Sequence, residues 1–183
     1  GKWYFEMKKV SQDAGPDDDS FRNVFGVTAY RSYSDFGMST TSTWTLVGTA
    51  GINAEGSFAD PSSVGSALLS DGGIFQCALD LDNNRVAFGH DDAWQTGSSA
   101  FSGSYSDYES ITAAASTISG FYFPIIGDNS SSRGYTMDAN FGGCPPNAIA
   151  SAATDENGYG TFEFAPPTGF LALCTKNLGS DGG

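Results

Sequence analysis

Positively charged residues are scarce in this sequence. It contains 8 Lys and Arg against 21 Asp and Glu, which gives a formal net charge of −13 at pH 7. From Arg22 to Arg133 the chain has four Arg and no Lys, so no basic patch can form in its middle. A surface of this charge repels a phosphate backbone instead of displacing its counterions. We therefore expect no nucleic-acid partner.

Long hydrophobic runs are also missing. No apolar run approaches the roughly 20 residues that a membrane-spanning helix needs, and residue 1 does not open a signal peptide. We therefore expect no membrane insertion. Because Gly1 leads straight into aromatic residues and the chain ends in a Gly-rich stretch, we expect one domain at 1–178, taken from a longer polypeptide, and a linker or tail at 179–183.

Cysteine and histidine are too few for a disulfide framework or a histidine-rich zinc site. Cys77, Cys144 and Cys174 make an odd count, and two of them lie inside apolar runs. Since cysteine packs as a small hydrophobe, we expect Cys77 and Cys174 to be reduced and buried, and folding to occur in a reducing compartment. A Cys144–Cys174 disulfide stays compatible with the sequence.

Glycine and aromatic residues are abundant. The chain has 24 Gly, its aromatic content is 14%, and turn-forming residues divide it into short apolar runs. We predict an all-β fold, an antiparallel sandwich of about eight to ten strands, with short helical turns only, at 62–70 and 111–119. The predicted strands include residues 3–8, 24–31, 43–47, 75–81, 86–88, 121–126, 135–141, 160–164 and 170–174.

Residues 75–88 carry the clearest hairpin pattern. Phe75, Cys77, Leu79 and Leu81 alternate with small or polar residues, so we predict that these four share a buried face. We predict a tight turn over Asp82 to Arg85, because Asn tolerates the left-handed backbone of such turns.

Four separated segments carry signatures beyond periodicity. They are Gly1-Lys2-Trp3-Tyr4-Phe5-Glu6, Phe25-Gly26-Val27, the hairpin with Cys77-Ala78-Leu79-Asp80 and Asn84-Arg85-Val86, and Phe123-Pro124 followed by Ala139-Asn140-Phe141-Gly142. In this order, over nearly the whole chain, they resemble the SPRY domain family. The resemblance implies a bent, concanavalin-like β-sandwich that recognises partners through loops at one end and performs no chemistry.

The closing residues refine this resemblance. Pro166-Pro167-Thr168-Gly169-Phe170 and Leu171-Ala172-Leu173-Cys174 are similar to the ending of SPRY-like domains in phage and other microbial-virus structural proteins. The sequence also departs from the family: the strand that usually precedes the first aromatic pair is missing, and the Ser-rich stretch 95–119 is longer than in compact members. A family resemblance does not identify the partner.

Acidic residues do not form the patterns that catalysis or metal binding requires. No predicted strand has the Glu-x-Asp or Glu-x-x-x-Glu spacing that would place a glycosidase's two carboxylates on one face. Asp80, Asp82 and Asn84 imitate the start of a calcium loop, but the later Glu ligand is absent and a tight turn explains them. His90 lacks an accompanying nucleophile elbow. We expect no catalytic residue, no metal and no cofactor.

Aromatic residues in two loops are the candidate binding residues, because Tyr and Trp supply rigid amphipathic contact area to interfaces and stack on sugars. The alternative, that half of them cover the core, is equally compatible with the sequence. One loop contains or adjoins Tyr30, Arg31, Tyr33, Asp35 and Phe36, and the other contains or adjoins Trp94, Tyr105 and Tyr108.

These observations lead to one functional interpretation with two alternatives. We expect a non-catalytic binding or display module of a virion or surface protein, folded in the host cytoplasm. It would recognise a host protein or surface glycan, or pack against other virion proteins, with any oligomerisation through the parent protein. The alternatives are an intracellular protein-interaction adaptor in the cytoplasm and a glycan-active enzyme on a lectin-like sandwich.

Overall fold

The chain folds into two β-sheets. A computed structural model describes residues 1–12, 23–29, 43–47, 51–54, 57–59, 71–94, 108–128, 134–145, 148–149 and 151–181. In chain order the strands are β1 (Lys2–Gln12), β2 (Asn23–Thr28), β3 (Thr43–Val47), β4 (Gly51–Ala54), β5 (Ser57–Ala59), β6 (Ile74–Asp80), β7 (Arg85–His90), β8 (Ala93–Trp94), β9 (Glu109–Ser110), β10 (Phe123–Asp128), β11 (Tyr135–Asn140) and β12 (Leu171–Ala172). A short 3-10 helix (Ala114–Ser116) and one α-helix, α1 (Thr175–Asp181), complete the described elements.

The larger sheet has seven strands and the smaller has five. The larger runs β11-β1-β6-β7-β8, with β12 beside β1 and β9 beside β7, and the smaller runs β10-β2-β3-β4-β5. The pairing of β1 with β12 is parallel and the other strand pairings are antiparallel. The predicted all-β, antiparallel sandwich is therefore confirmed. The predicted helical turn at 111–119 is the 3-10 helix, and 62–70 lies outside the described residues.

The core lies between the two sheets. The face of the larger sheet that points toward the smaller one, here the inner face, carries large apolar side chains, and Phe25 of β2 packs edge-on against Phe5 at a ring-centroid distance of 5.4 Å. The predicted buried face of β6 is confirmed, with Leu81 half-buried against it. The buried core residues are Phe5, Met7, Phe25, Val27, Phe75, Cys77, Leu79, Val86, Phe88 and Ile111.

The opposite face of the larger sheet, here the outer face, is buried as well. All seven residues of β6 are buried, so both faces of that strand are covered. The cover comes from residues 151–181, here called the covering segment, whose Phe162 meets Tyr4 edge-on at 4.9 Å. The outer-face core comprises Tyr4, Ala78, Ala87, Trp94, Phe162, Phe170 and Ala172. The predicted strand at 160–164 is wrong, because only an isolated bridge between Ala153 and Phe162 forms there.

The Ala-Asn-Phe-Gly segment holds the covering segment close to the sheet. The Asn140 amide donates to the carbonyl of Thr161 at 2.8 Å and accepts from the backbone N–H of Gly142 at 3.0 Å. Gly142 has φ +85°, and a Cβ there would lie 2.8 Å from the Phe162 ring. Glycine is therefore required by both the backbone conformation and the packing.

The turn that joins β6 to β7 is shifted by one residue from the prediction. Asp80 pairs with Arg85, so the connection is Leu81 to Asn84 instead of Asp82 to Arg85. Asn84 takes the left-handed conformation with φ 53°. The shift follows from Asp80, whose carboxylate accepts the backbone N–H of Asn83 at 3.1 Å and closes the loop one residue earlier.

The three cysteines are free thiols, and the chain's last described residues are helical. Cys77 is buried, as predicted, whereas Cys174 is only half-buried and Cys144 is exposed. Residues 179–181, assigned above to a linker or tail, belong to α1; the buried Asn177 amide, which donates to the carbonyl of Ala172 at 2.9 Å, ties that helix to β12. Within the described part of the chain, no helix is long and apolar enough to cross a membrane.

Candidate functional site

An apolar groove opens between the two sheets, at the end of the sandwich where β6 turns into β7. It has a volume of about 270 Å³. Four separate stretches of the chain line it: the start of β1, the end of β6 with the residue that follows it, the segment from the 3-10 helix into β10, and the chain around α1. The lining residues, none of which is charged, are Trp3, Phe5, Leu79, Leu81, Ala114, Gly120, Phe121, Tyr122, Pro124, Leu173 and Leu178.

Large apolar side chains stand exposed at this groove. Phe121 is 60% exposed and Leu178 is 48% exposed, and the neighbouring Ile118 is 76% exposed. The sequence from 111 to 127 contains no charged residue. Exposed apolar side chains that line one groove, as Phe121 and Leu178 do, mark interaction sites more often than scattered single residues do.

Local hydrogen bonds fix the loop that carries Ile118 and Phe121. The hydroxyl of Tyr122 donates to the carbonyl of Thr112 at 2.7 Å and closes the base of the loop. The Thr117 hydroxyl donates to the Ala114 carbonyl at 2.8 Å and accepts from the Gly120 backbone N–H at 3.1 Å. Gly120, with φ +78°, makes the reversal that glycine adopts without strain. These hydrogen bonds stabilise the loop from within the chain.

Of the predicted binding aromatics, the structure describes only Trp94 and Tyr108. Trp94 is 3% exposed, so its assignment as an exposed loop aromatic is wrong. The centroid of its ring lies 6.4 Å from that of Tyr4, and the ring occupies the space that a side chain at Gly89 would fill. Tyr108 is half-buried, and the Arg85 guanidinium lies over its ring at 4.9 Å. Tyr30, Arg31, Tyr33, Asp35, Phe36 and Tyr105 lie outside the described residues.

The strand ends that bracket residues 30–42 are adjacent to the groove. Thr28, near the end of β2, pairs with Thr43 at the start of β3 and with Phe123 at the start of β10. Phe123 directly follows the groove residues Phe121 and Tyr122. The chain therefore leaves and re-enters the smaller sheet beside the groove.

A buried carboxylate organises the outer face. Glu6 is 2% exposed, and its Oε1 accepts the Tyr4 hydroxyl and the backbone N–H of Phe164, each at 2.9 Å. Its Oε2 accepts the backbone N–H of Glu163 at 3.0 Å and the Asn140 amide at 3.3 Å. Burial raises the pKa of Glu6 above its usual value, although these hydrogen bonds act in the opposite direction. Both oxygens are occupied, so Glu6 fastens the covering segment to β1.

Tyr4 and Gln76 extend this network across the sheet. The Gln76 amide donates to the Tyr4 hydroxyl at 3.1 Å, and its carbonyl oxygen accepts the backbone N–H of Asp92 at 2.7 Å. Burial, followed by the charge of Glu6, raises the pKa of Tyr4 well above its usual value. The phenol therefore stays protonated and serves as a hydrogen-bond donor.

A second carboxylate, that of Asp155, links the two ends of the covering segment to each other. Asp155 Oδ1 accepts the backbone N–H groups of Asn157 at 3.0 Å and Tyr159 at 2.8 Å. Its Oδ2 accepts the backbone N–H of Ala172 at 2.8 Å and the Asn177 amide at 2.6 Å. Burial alone would raise the pKa of Asp155, but these donors outweigh that effect and lower it. Asp155 thus ties the start of the covering segment to β12 and α1.

The remaining acidic and histidine candidates have structural roles. Asp80 Oδ2 accepts the Asn83 amide at 2.8 Å and Arg85 Nε at 3.0 Å, and these donors lower its pKa against the opposing effect of burial. His90 is buried beside the Phe75 ring, and burial lowers its pKa although Asp91, 3.3 Å away, opposes that shift. Over the described ranges, no group of three or more His, Cys, Asp or Glu is placed to hold a metal ion.

The comparisons with known proteins found likenesses among solved structures but none among protein families or curated proteins. No protein-family model matches the chain, and no curated protein matches its sequence. Among solved structures, the chain is similar to the SPRY domain of human HERC1, with 14% sequence identity and a TM-score of 0.48, over 81% of this chain and 77% of that chain. A likeness of this degree does not determine function, so the assignment of a site rests on the contacts described above.

Proposed function

We propose that this chain is a non-catalytic protein-binding module that meets its partner at the end of the sandwich where the apolar groove opens. The observation that carries this proposal is the groove itself, which is uncharged along its lining and includes the exposed side chains of Phe121 and Leu178. Such surface is costly to leave in water at about 25 cal/mol per Å², and a partner that covers it recovers that free energy.

The loop aromatics belong to the same proposed surface. Tyr30, Tyr33 and Phe36 follow a strand end that lies beside Phe123, and Tyr105 precedes the half-buried Tyr108. Aromatic residues of this kind supply much of the binding energy at protein interfaces. We include Arg31 and Asp35 as polar contacts at the edge of that surface.

The non-catalytic part of the proposal is supported by how the buried carboxylates are used. Glu6 and Asp155 each accept four hydrogen bonds from the protein, and Asp80 is held by Asn83 and Arg85. A general acid or base has to reach the proton that it transfers. Carboxylates committed in this way are not positioned for such a transfer.

The setting that we propose is a virion or surface protein. Its support is the likeness of residues 166–174 to the ending of SPRY-like domains in viral structural proteins. Gene neighbours that encode tail, baseplate or capsid proteins would support this setting. Neighbours typical of an intracellular signalling protein would replace it with the intracellular adaptor.

The proposed function is tested by binding to a panel of displayed folded proteins and to a glycan array, with the parent chain and the variants Tyr33→Ala, Phe36→Ala and Tyr105→Ala. We expect the parent chain to bind protein ligands. Truncation of a central aromatic residue to Ala should cost about 2 kcal/mol of binding free energy and leave the melting temperature of the variant unchanged. Hydrolysis of any arrayed glycan, or glycan ligands in place of protein ligands, would overturn the proposal.

A further inference from the structure

The volume of the apolar groove limits what can enter it. Small-molecule sites usually measure roughly 300 to 1,000 Å³, whereas a cavity of roughly 150 Å³ accommodates benzene. At about 270 Å³ the groove lies between these values. It therefore has room for about one aromatic or branched aliphatic side chain.

The chemistry of the lining favours an apolar occupant. The lining includes no carboxylate, side-chain amide or cation, and the Tyr122 hydroxyl already donates to the Thr112 carbonyl at 2.7 Å. A sugar has many hydroxyls, and each hydroxyl buried without a partner costs roughly 1–3 kcal/mol. An apolar side chain carries no such penalty.

The charge of the chain indicates what surrounds that side chain on the partner. The protein carries a net charge of −13, while the stretch from 111 to 127 beside the groove has no charged residue. An approaching partner therefore crosses a negative potential before it reaches an uncharged contact area. A partner segment in which Lys and Arg flank an apolar residue fits this arrangement. Its basic side chains are attracted by the negative charge of the surrounding surface, and its apolar side chain enters the uncharged groove.

We propose that the groove receives one apolar or aromatic side chain from a basic segment of a partner protein. This inference rests on the proposed protein-binding function and adds the chemistry of the partner to it. The fixed loop that carries Phe121 limits the ordering cost of binding, since its hydrogen bonds are formed within the chain itself.

Selection from a random linear-peptide library displayed on phage, with the parent chain as bait, tests the proposal. The enriched peptides should share one Phe, Trp, Leu or Ile flanked by Lys or Arg. Replacing that apolar residue by Ala in a synthetic peptide should weaken its affinity about thirtyfold, as for a central anchor. In nuclear magnetic resonance spectra, peptide binding should shift the indole N–H signal of Trp3, which lines the groove.

Two charge-matched variants locate the binding site. Phe121→Asp places a carboxylate on the groove, and Val10→Asp introduces the same charge at an exposed apolar residue of β1 that is not in the lining. We expect the first to weaken peptide binding about thirtyfold and the second to change it less than about threefold. Melting temperatures of both variants establish that they are folded.

The outcomes separate this proposal from the broader one. The groove is not the anchor site if the enriched peptides bind the Phe121→Asp variant as tightly as they bind the parent chain, or if their consensus lacks an apolar residue. Neither result would overturn the broader proposal that the chain binds proteins. An acidic consensus overturns the charge argument. If no peptide is enriched, the groove proposal fails, and if the panel of folded proteins gives no ligand either, the proposed function fails with it.

Discussion

The two faces of the larger sheet are both buried, yet they are stabilised by different interactions. On the inner face, Phe5, Phe75 and Phe88 belong to one wholly apolar core. On the outer face, Glu6 and Gln76 are equally inaccessible but are held in a network of directed hydrogen bonds. The inner face tolerates any well-packed apolar set, whereas the outer face depends on each donor meeting its acceptor.

The largest effect should come from an inner-face cavity. Phe88→Ala removes a fully buried ring that lies 6.2 Å from the Phe25 ring, and we expect the free energy of unfolding to fall by about 3–5 kcal/mol. Urea denaturation measures this loss. Phe88→Leu is the control, because it keeps an apolar side chain and should cost clearly less. Equal losses for the two variants would mean that ring volume is not what stabilises this face.

A smaller effect should come from the outer-face acceptor. Glu6→Gln keeps the shape of the side chain but replaces one of its two acceptor oxygens by an NH2 donor, which then faces a backbone N–H donor, so we expect a loss of about 1–3 kcal/mol. Amide hydrogen exchange at Glu163 and Phe164 should accelerate with it, because both N–H groups donate to Glu6.

Glu156→Gln is the matched control for that variant. The Glu156 side chain is exposed and accepts one hydrogen bond, from the Gly169 backbone N–H at 2.9 Å, which a Gln carbonyl can also accept. We expect a change within about 0.5 kcal/mol. If Glu6→Gln is equally neutral, apolar contacts alone hold the covering segment in place.

The pH dependence should differ in sign between the two carboxyl groups of the outer face. Glu6 has a raised pKa in the folded protein, so its contribution to stability is complete below its ordinary pKa and is lost as the pH rises through the folded value. Asp155 has a lowered pKa, so its contribution is present above its ordinary pKa and is lost as the pH falls through the folded value.

Parallel denaturation series measure these contributions against variants that cannot titrate. On acidification, the stability difference between the parent and Glu6→Gln should grow, and the difference between the parent and Asp155→Asn should shrink. Each unit of pKa shift corresponds to about 1.4 kcal/mol. If both stability differences grow, or both shrink, on acidification, the pKa values of Glu6 and Asp155 are not shifted in opposite directions.

The smallest effect should be a stabilisation at the edge of the network. Asp91 and Asp92 form the two-residue turn between β7 and β8 with φ 47° and 66°, a conformation in which Asp-Gly is preferred. Asp92→Gly keeps the backbone N–H that donates to Gln76, and we expect a gain of about 0.5 kcal/mol from relieved strain. Asp92→Ala retains the strain and should show no gain in the same thermal unfolding measurement.

The inner face could be predicted because its signal is local. Phe75, Cys77 and Leu79 repeat every second residue, and that period alone assigns them to one face of a strand. The end of the hairpin could not be fixed to the residue, because the position of its turn depends on the side-chain hydrogen bonds of Asp80. Periodicity thus predicts which residues share a face better than it predicts where a turn closes.

The outer face could not be predicted in the same way. Gln76, Ala78 and Asp80 have the composition of a strand face that points to solvent. The outer-face core that includes Ala78 also takes Phe162, Phe170 and Ala172 from the covering segment, more than 70 residues later in the chain. Spacing within a strand contains no information about such a distant contact. The one feature of β1 that could have indicated a buried outer face is Tyr4, an aromatic residue on the side of the strand opposite to Phe5.

The candidate site shows the same limit. Trp94 was assigned to the surface from its place beside a polar loop, but the Gly89 opposite it leaves room for the indole against the sheet. The apolar groove was missed because its lining comes from four distant parts of the chain. The uncharged run at 111–127, with Ile118 and Phe121 in it, was the feature that could have indicated it.

The pairing of β1 with β12 also bears on how the chain folds during synthesis. Trp3 lies opposite Leu171, so β1 cannot gain this neighbour until almost the whole described chain has been translated. At roughly 5 to 20 residues per second, about 8 to 34 seconds separate the two residues at the ribosome. During that interval Phe5 and Met7 can already pack against the earlier strands β2, β6 and β7, whereas Glu6 still lacks its backbone donors from Glu163 and Phe164. A chaperone that acts in this interval would therefore protect the outer face of β1, which the covering segment reaches last.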